Sequence, residues 1–454
     1  MIGGRSRHGR PLLRRLVAGE GGGFTVAQTI LSQLLVVLLN MATGITTARL
    51  LGPHGRGVYA AVTLWPQFLS GFGLAGLPAA VVYHLRQSPG GGGAIFSAGI
   101  ILTSLLSVVT VAAGLVVVPL TMQGYSAESL WLVRYCVLAT IACAYIGLFR
   151  QVLISLGGLT VCNLSAVLMP LIYLVGLMVC WGVMGVTVTN AVLMLVVALL
   201  AIMLWMGWRV LDLCRPTLRQ LRQWLGAVGV YALRSAPADV LVALSGHVDR
   251  LVLMSMVPVR DLGLYAVAFS LSRLMLILQT VVNMVLFPMM VSRLSEEMKA
   301  LHDHAFRFVS YAAIGAVMLS FLLGERLLRL MYGASFAEAG PVFDVLVVEA
   351  ALTCIGQVNA QLFNSLGFPG YPSIVQAVGF AVAAVGLLLL VPSYGILGAA
   401  SVMAGAALVR LVLLLGGYYA RLALGVPRLY PRLTDFVYLR QQFQAERPIM
   451  SQGS

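Results

Sequence analysis

Charge is what this chain has least of. Only 10% of its 454 residues are charged, and just 15 are acidic; water-soluble globular chains carry nearer a quarter. That shortage excludes a soluble enzyme or binding domain. With 60% hydrophobic residues and a mean hydropathy of +0.96, the chain reads as an integral membrane protein. Lysine is almost missing: Lys299 stands alone against 28 arginines, and no glycine precedes it. A phosphate-cradling Gly-rich loop ending in lysine is therefore ruled out, and with it ATP hydrolysis by this chain. The six cysteines include no Cys-x-x-Cys pair, and five of them (Cys136, Cys143, Cys162, Cys180 and Cys354) fall inside apolar runs, which removes a disulfide framework and a zinc site. Neither His-Glu-x-x-His nor Gly-x-Ser-x-Gly occurs, so no enzymatic site, cofactor or metal is expected.

What the sequence does have is apolar length. A crossing plus its loop takes about 35 residues, leaving room for roughly 13 crossings and no large soluble domain. Apolar runs between charges and Gly/Pro punctuation predict an all-α fold of twelve membrane helices. The first six cover 26–48, 58–83, 94–118, 130–149, 159–181 and 187–208. The second six cover 236–257, 264–291, 305–323, 342–366, 374–391 and 397–418. The first run is too long for a signal-peptide core and no cleavage site follows it, so a basic leader, 1–25, is expected to stay attached. A basic connection, 209–235, separates an N-lobe (26–208) from a C-lobe (236–418), and a polar tail spans 419–454.

The net charge of +14 does not mark a nucleic-acid binder, because the basic residues lie mainly between hydrophobic runs. Twenty of the 29 fall on the side of the termini, seven on the other, and Arg273 and Arg410 lie within helices. The positive-inside rule makes the basic face, with both termini, cytoplasmic. Each half begins with its own basic cluster. A repeat accompanies it: Gly57-Val58-Tyr59-Ala60 after the first helix recurs as Gly263-Leu264-Tyr265-Ala266 after the seventh, at an offset of 206 residues. Six helices per half is an even number, so both halves enter from the same side, related by a pseudo-two-fold axis along the membrane normal. Two bundles facing a central cavity are predicted.

Polar side chains in hydrocarbon are costly unless they face a cavity or a partner, so they are the candidate site. The first helix carries Gln33, Asn40, Thr43 and Thr47 at helical spacing, and the tenth carries Glu349, Thr353, Gln357, Gln361 and Asn364. Such stripes serve either a substrate path or helix–helix hydrogen bonds. The seventh carries Asp239, His247, Asp249 and Arg250; the last two suit an interfacial salt bridge or snorkelling. The eighth carries Arg273, with Gln279 and Asn283 beyond it. Arg273 lies about 9 residues into its helix, roughly 13 Å deep at about 1.5 Å per residue. It faces an aqueous or anionic cavity, or pairs with Asp239 or Glu349. Arg410, nearer the cytoplasm, reads as snorkelling. In the tail, Arg421 to Arg440 interleave with Tyr430, Phe436 and Tyr438, consistent with an interfacial or a merely solvated segment.

The stretch Ala48-Arg49-Leu50-Leu51-Gly52-Pro53-His54-Gly55-Arg56-Gly57-Val58-Tyr59, followed by Trp65-Pro66-Gln67 and Gly76-Leu77-Pro78, resembles the oligosaccharide flippases of bacterial polysaccharide synthesis, in the MATE-like MOP superfamily. Val248-Asp249-Arg250-Leu251, Phe287-Pro288 and Tyr332-Gly333-Ala334-Ser335-Phe336 extend the likeness across the membrane region. The resemblance implies alternating access between two six-helix lobes in the bacterial inner membrane, carrying undecaprenyl-diphosphate-linked oligosaccharide to the outer leaflet. Membrane lipids, and polysaccharide polymerase or export machinery, are the partners it implies. Thr43, Thr46 and Thr47 stand where lipid II flippases carry further arginine, and no thirteenth or fourteenth helix follows, which argues against lipid II as cargo. Substrate contacts are expected from Arg273, Gln33, Asn40, Gln357, Asn364 and Glu349. The rival reading, a cation-coupled multidrug exporter, would need Asp239, Asp249 or Glu349 as its coupling carboxylate. A non-transporting membrane scaffold is the third.

Overall fold

A computed structural model describes residues 22–88, 91–122, 124–275, 295–368 and 370–422. Residues 1–21 of the leader, the tail beyond residue 422, and the segment holding Gln279, Asn283 and Pro288 lie outside the described residues. Eleven α-helices follow one another, with no strand among the described residues: α1 (Gly22–Leu74), α2 (Leu77–Gln87), α3 (Gly92–Thr121), α4 (Ala127–Ser155), α5 (Leu159–Val183), α6 (Val188–Leu213), α7 (Leu221–Met256), α8 (Val259–Ser272), α9 (Ser295–Tyr332), α10 (Gly340–Ser365) and α11 (Gly370–Leu422). Among the described residues, nine helical stretches are long and apolar enough to cross a membrane, and the chain is a multi-pass membrane protein.

Two of these helices are double. A straight 53-residue helix would run about 80 Å, against a hydrocarbon core of about 30 Å. Both fold back at one glycine in a left-handed or extended mirror conformation, Gly52 (φ 67°) before Pro53, and Gly395 (φ 56°) after Pro392. In α11 the return is visible in side-chain contacts: a Cβ on Gly386 would lie 2.8 Å from Val402, and Tyr371 donates to the Leu413 carbonyl at 2.6 Å. In α1, Arg56 reaches back to Thr47 Oγ1 at 3.0 Å. The expected first and second helices, and the eleventh and twelfth, are therefore hairpins. The second crossing is broken again at Gly76 (φ 79°), where α2 starts afresh with Pro78 in its first turn. Side-chain caps fix two other starts: Ser126 accepts from the Ser129 amide, and Thr187 from the Asn190 amide. One boundary departs from expectation. The seventh helix begins at Leu221, not residue 236, so much of the basic connection is helical.

Packing divides the molecule unevenly. One core joins both halves, from Ala48, Tyr59 and Trp65 through Leu253, Tyr265 and Leu271 to Phe343 and Met403. Toward the basic face this core gives way to two separate ones. Leu77, Phe96, Leu148 and Met206 fill the first half together with Val228 and Ala232 of α7, while Leu301, Phe306, Phe363 and Tyr418 fill the second. Among the described residues, one core spans both halves at the opposite face, while toward the basic face the cores are separate and α7 lies against the first half.

The repeated glycines make that fusion. A Cβ on Gly57 would run into the Val259 carbonyl, and one on Gly263 into the Pro53 carbonyl. The 206-residue offset carries Pro53 onto position 259 and Gly57 onto position 263, so the two contacts are images of each other across the pseudo-two-fold axis. Only a residue without a Cβ lets two backbones approach so closely. Arg49 adds a side-chain latch from the first half, donating to the Leu330 and Met331 carbonyls at the end of α9.

Candidate functional site

A cavity of about 640 Å³ opens among α7, α10 and the two arms of α11. Its polar lining comes from Thr353, Gln357 and Asn364 of α10, Ser373 and Gln376 of α11's first arm, and Arg410 of the second; Ala238, Leu241 and Val242 of α7 form its apolar wall. Thr353, Gln357 and Asn364 share a face because steps of four and seven residues return to one side of an α-helix. Gln361 adjoins them through Asn364, whose amide approaches its Oε1 at 3.5 Å.

One turn beyond Thr353, away from the basic face, sits Glu349, 2% exposed. Arg273 meets it at 3.0 Å, and the Thr353 hydroxyl donates to its other carboxylate oxygen at 3.0 Å. Of the two fates open to Arg273 in the sequence, the structure takes the pairing, with Glu349 rather than Asp239. The α-helix gives way to a 3-10 turn at Arg273–Met275, and the guanidinium lies 4.1 Å from the centre of the Phe269 ring. Arg250 approaches the same ring at 4.7 Å. The ion pair therefore adjoins the cavity through Thr353.

The first-helix stripe is split. Gln33, Asn40 and Thr47 recur every seven residues on one face, opposite exposed Leu31, Leu34, Leu35 and Leu38. Thr47 is buried and spent on the Thr43 carbonyl and on Arg56, whereas Gln33 is half-buried and Asn40 exposed. Neither amide lines the α10–α11 cavity. The carboxylates on α7 are engaged. Asp239 accepts from the Gly76 amide at 2.9 Å, capping the break between α1 and α2. Asp249, 1% exposed, accepts from the Tyr265 hydroxyl at 2.7 Å and lies 3.8 Å from Arg250. His247 bonds Arg250 at 2.8 Å and packs edge-on against Phe68.

Residues 47–341 match the family described as polysaccharide biosynthesis protein. The chain belongs to that family. Among curated proteins none matches its sequence. Solved structures share its fold: the lipid II flippase MurJ in an inward closed conformation (14% identity, 92% of this chain and 90% of that chain, TM-score 0.72) and an inward-facing multidrug resistance MATE family transporter of the MOP superfamily (16%, 86% and 95%, 0.67). A MOP superfamily transporter from Pyrococcus furiosus, described as having a binding pocket of reverse polarity, is a third (15%, 95% and 98%, 0.56). At these identities the likeness is one of fold. This polysaccharide biosynthesis protein thus shares the all-helical fold of MOP superfamily transporters and of a lipid II flippase.

Sequence reading missed two groups of residues in this family member. Arg410, Ser373 and Gln376 line the cavity, although the sequence assigned Arg410 to snorkelling. Its stem lies over Gly379 and its head lines the cavity. A second polar cluster lies deeper in the C-lobe: Tyr418 donates to Asn359 Oδ1 at 2.8 Å and contacts His302 Nε2 at 2.8 Å, with His302 and Asn359 fully buried. Asn359 falls off the α10 stripe, and helical spacing gave no sign of it.

Proposed function

We propose that this protein flips undecaprenyl-diphosphate-linked oligosaccharide across the bacterial cytoplasmic membrane for surface polysaccharide export, with its basic face and termini in the cytoplasm. The observation that carries the reading is a cavity lined by amides, hydroxyls and an arginine inside the C-lobe of a polysaccharide biosynthesis family member. Amides and hydroxyls replace sugar hydration, and a guanidinium suits a diphosphate. Arg273, Gln357, Asn364 and Glu349 act from the C-lobe; Gln33 and Asn40 act from the first helix. The polyprenyl tail stays in lipid between the lobes, the N-lobe (26–208) and C-lobe (236–418), which rock about the glycine crossing.

One hydrophobic core spans both halves away from the basic face and two separate cores lie toward it, which suits loading from the cytoplasm. The multidrug alternative is weaker, because each of its coupling carboxylates already has a partner: Asp239 the Gly76 amide, Asp249 the Tyr265 hydroxyl, Glu349 the Arg273 guanidinium. Deletion of the gene tests the reading. Loss of surface polysaccharide with lipid-linked oligosaccharide accumulating on the cytoplasmic leaflet supports it. Intact polysaccharide with new sensitivity to cationic dyes overturns it.

A further inference from the structure

Arg410 is a cation inside a membrane protein with no hydrogen bond or ion pair to it among the described residues, while it lines the cavity and lies within electrostatic reach of Glu349 and Arg273. Its stem fits because residue 379 is glycine: a Cβ there would lie 2.6 Å from Arg410 Cδ. Arg273 differs. It is held by Glu349 at 3.0 Å, and the Thr353 hydroxyl that lines the cavity donates to the same carboxylate. Arg410, Glu349 and Arg273 are thus two cations and one anion, with one surplus positive charge beside a cavity of about 640 Å³. An unpaired guanidinium is costly at this depth, and a doubly or triply charged anion is the ligand that compensates it.

We infer that Arg410 is the anion-binding residue of the C-lobe cavity, and that Glu349 is an internal anion holding Arg273 back until a diphosphate group displaces it. The inference rests on the flippase reading for the ligand's chemistry, and it makes a division of labour that the reading lacks. Arg410 captures the diphosphate while Arg273 is still paired. Arg273 then transfers from Glu349 to the bound group, and re-pairing with Glu349 expels it. Glu349 serves release, so removing its charge strengthens binding and slows transport.

The test is isothermal titration of the full chain in lipid nanodiscs with farnesyl diphosphate, inorganic pyrophosphate and farnesol. Wild type is expected to bind farnesyl diphosphate and not farnesol. Arg410→Gln should weaken that binding roughly 10- to 100-fold, and Arg410→Lys, which keeps the charge but not the fork, should fall between. Glu349→Gln should tighten it roughly tenfold while lowering the rate of lipid flipping in vesicles. Arg209→Gln, which removes a charge beside Asp212 and outside the cavity lining, should change nothing and controls for net charge. If Arg410→Gln does not yield folded protein, the lysine variant and Glu349→Gln decide. Wild-type affinity in both Arg410 variants overturns the inference and leaves the flippase reading standing. Unaltered affinity in Glu349→Gln overturns the internal-anion role. Pyrophosphate binding as tightly as farnesyl diphosphate keeps the anion site and removes its lipid ligand. Failure of wild type to bind either diphosphate sinks both readings.

Discussion

Gly263→Ala should loosen the contact that fuses the two halves. The built Cβ has Gly57 N and the Pro53 carbonyl carbon at 2.9 Å, against 3.4–4 Å for ordinary contacts, with the Pro53 oxygen closer still. All are backbone atoms, which no rotamer change can move, so the helices themselves must separate by half an ångström or more. Overpacking of this kind costs roughly 1–3 kcal/mol, and at about 1.4 kcal/mol per decade the fused arrangement should lose roughly five- to a hundredfold in population. Gly57→Ala makes the image contact, with the Val259 carbonyl carbon at 2.8 Å, and should have a similar effect. Because one separation relieves both collisions, the double variant should fall short of the sum by about 0.5–3 kcal/mol. The assay pairs thermal unfolding in detergent with electron–electron distances between spin labels at His54→Cys and Ser255→Cys in a background without native cysteines. Longer distances in each single variant, with no further lengthening in the double, are expected. Unchanged distances and melting in Gly263→Ala would refute a backbone crossing on the pseudo-two-fold axis.

Other outcomes follow from the polar contacts. Glu349→Ala leaves Arg273 with its carboxylate gone and should cost about 3–5 kcal/mol in thermal unfolding, most of it regained in Arg273→Met with Glu349→Leu. Asp239→Asn keeps an acceptor for the Gly76 amide and should transport at the wild-type rate, whereas Asp239→Ala should lose about 0.5–2 kcal/mol of stability; abolished transport in the asparagine variant would revive a coupling role. Tyr418→Phe removes the hydroxyl between His302 and Asn359 and should cost about 1–3 kcal/mol in unfolding, with no loss if that network is dispensable.

The membrane class and the duplication were legible because they depend on hydropathy and on a recurrent glycine motif. Gly52-Pro53 marked the first hairpin turn, and Gly57 and Gly263 marked equivalent helices. Helix ends in water were less legible. Arg222, Arg234 and their neighbours lower the hydropathy before residue 236, yet arginine and glutamine are good helix formers, so α7 begins at Leu221. Depth along a helix can be counted, but direction cannot. That is why Arg410 read as snorkelling while its stem lies over Gly379 and its head over the cavity. Partners distant in sequence were hidden altogether: nothing near Asp239 announces that Gly76, 163 residues away, takes its carboxylate. The tenth-helix stripe was visible by spacing, but only the fold separates Thr353, Gln357 and Asn364, which face the cavity, from Glu349, which faces Arg273.

The most direct test of the account is reconstitution: purified protein in vesicles, given fluorescent undecaprenyl-diphosphate oligosaccharide in one leaflet, with the appearance of label in the other followed by an impermeant quencher. The account predicts protein-dependent movement that Arg273→Ala slows markedly. Vesicles in which the lipid-linked sugar moves no faster than in protein-free controls, while a cationic dye is expelled, would contradict it.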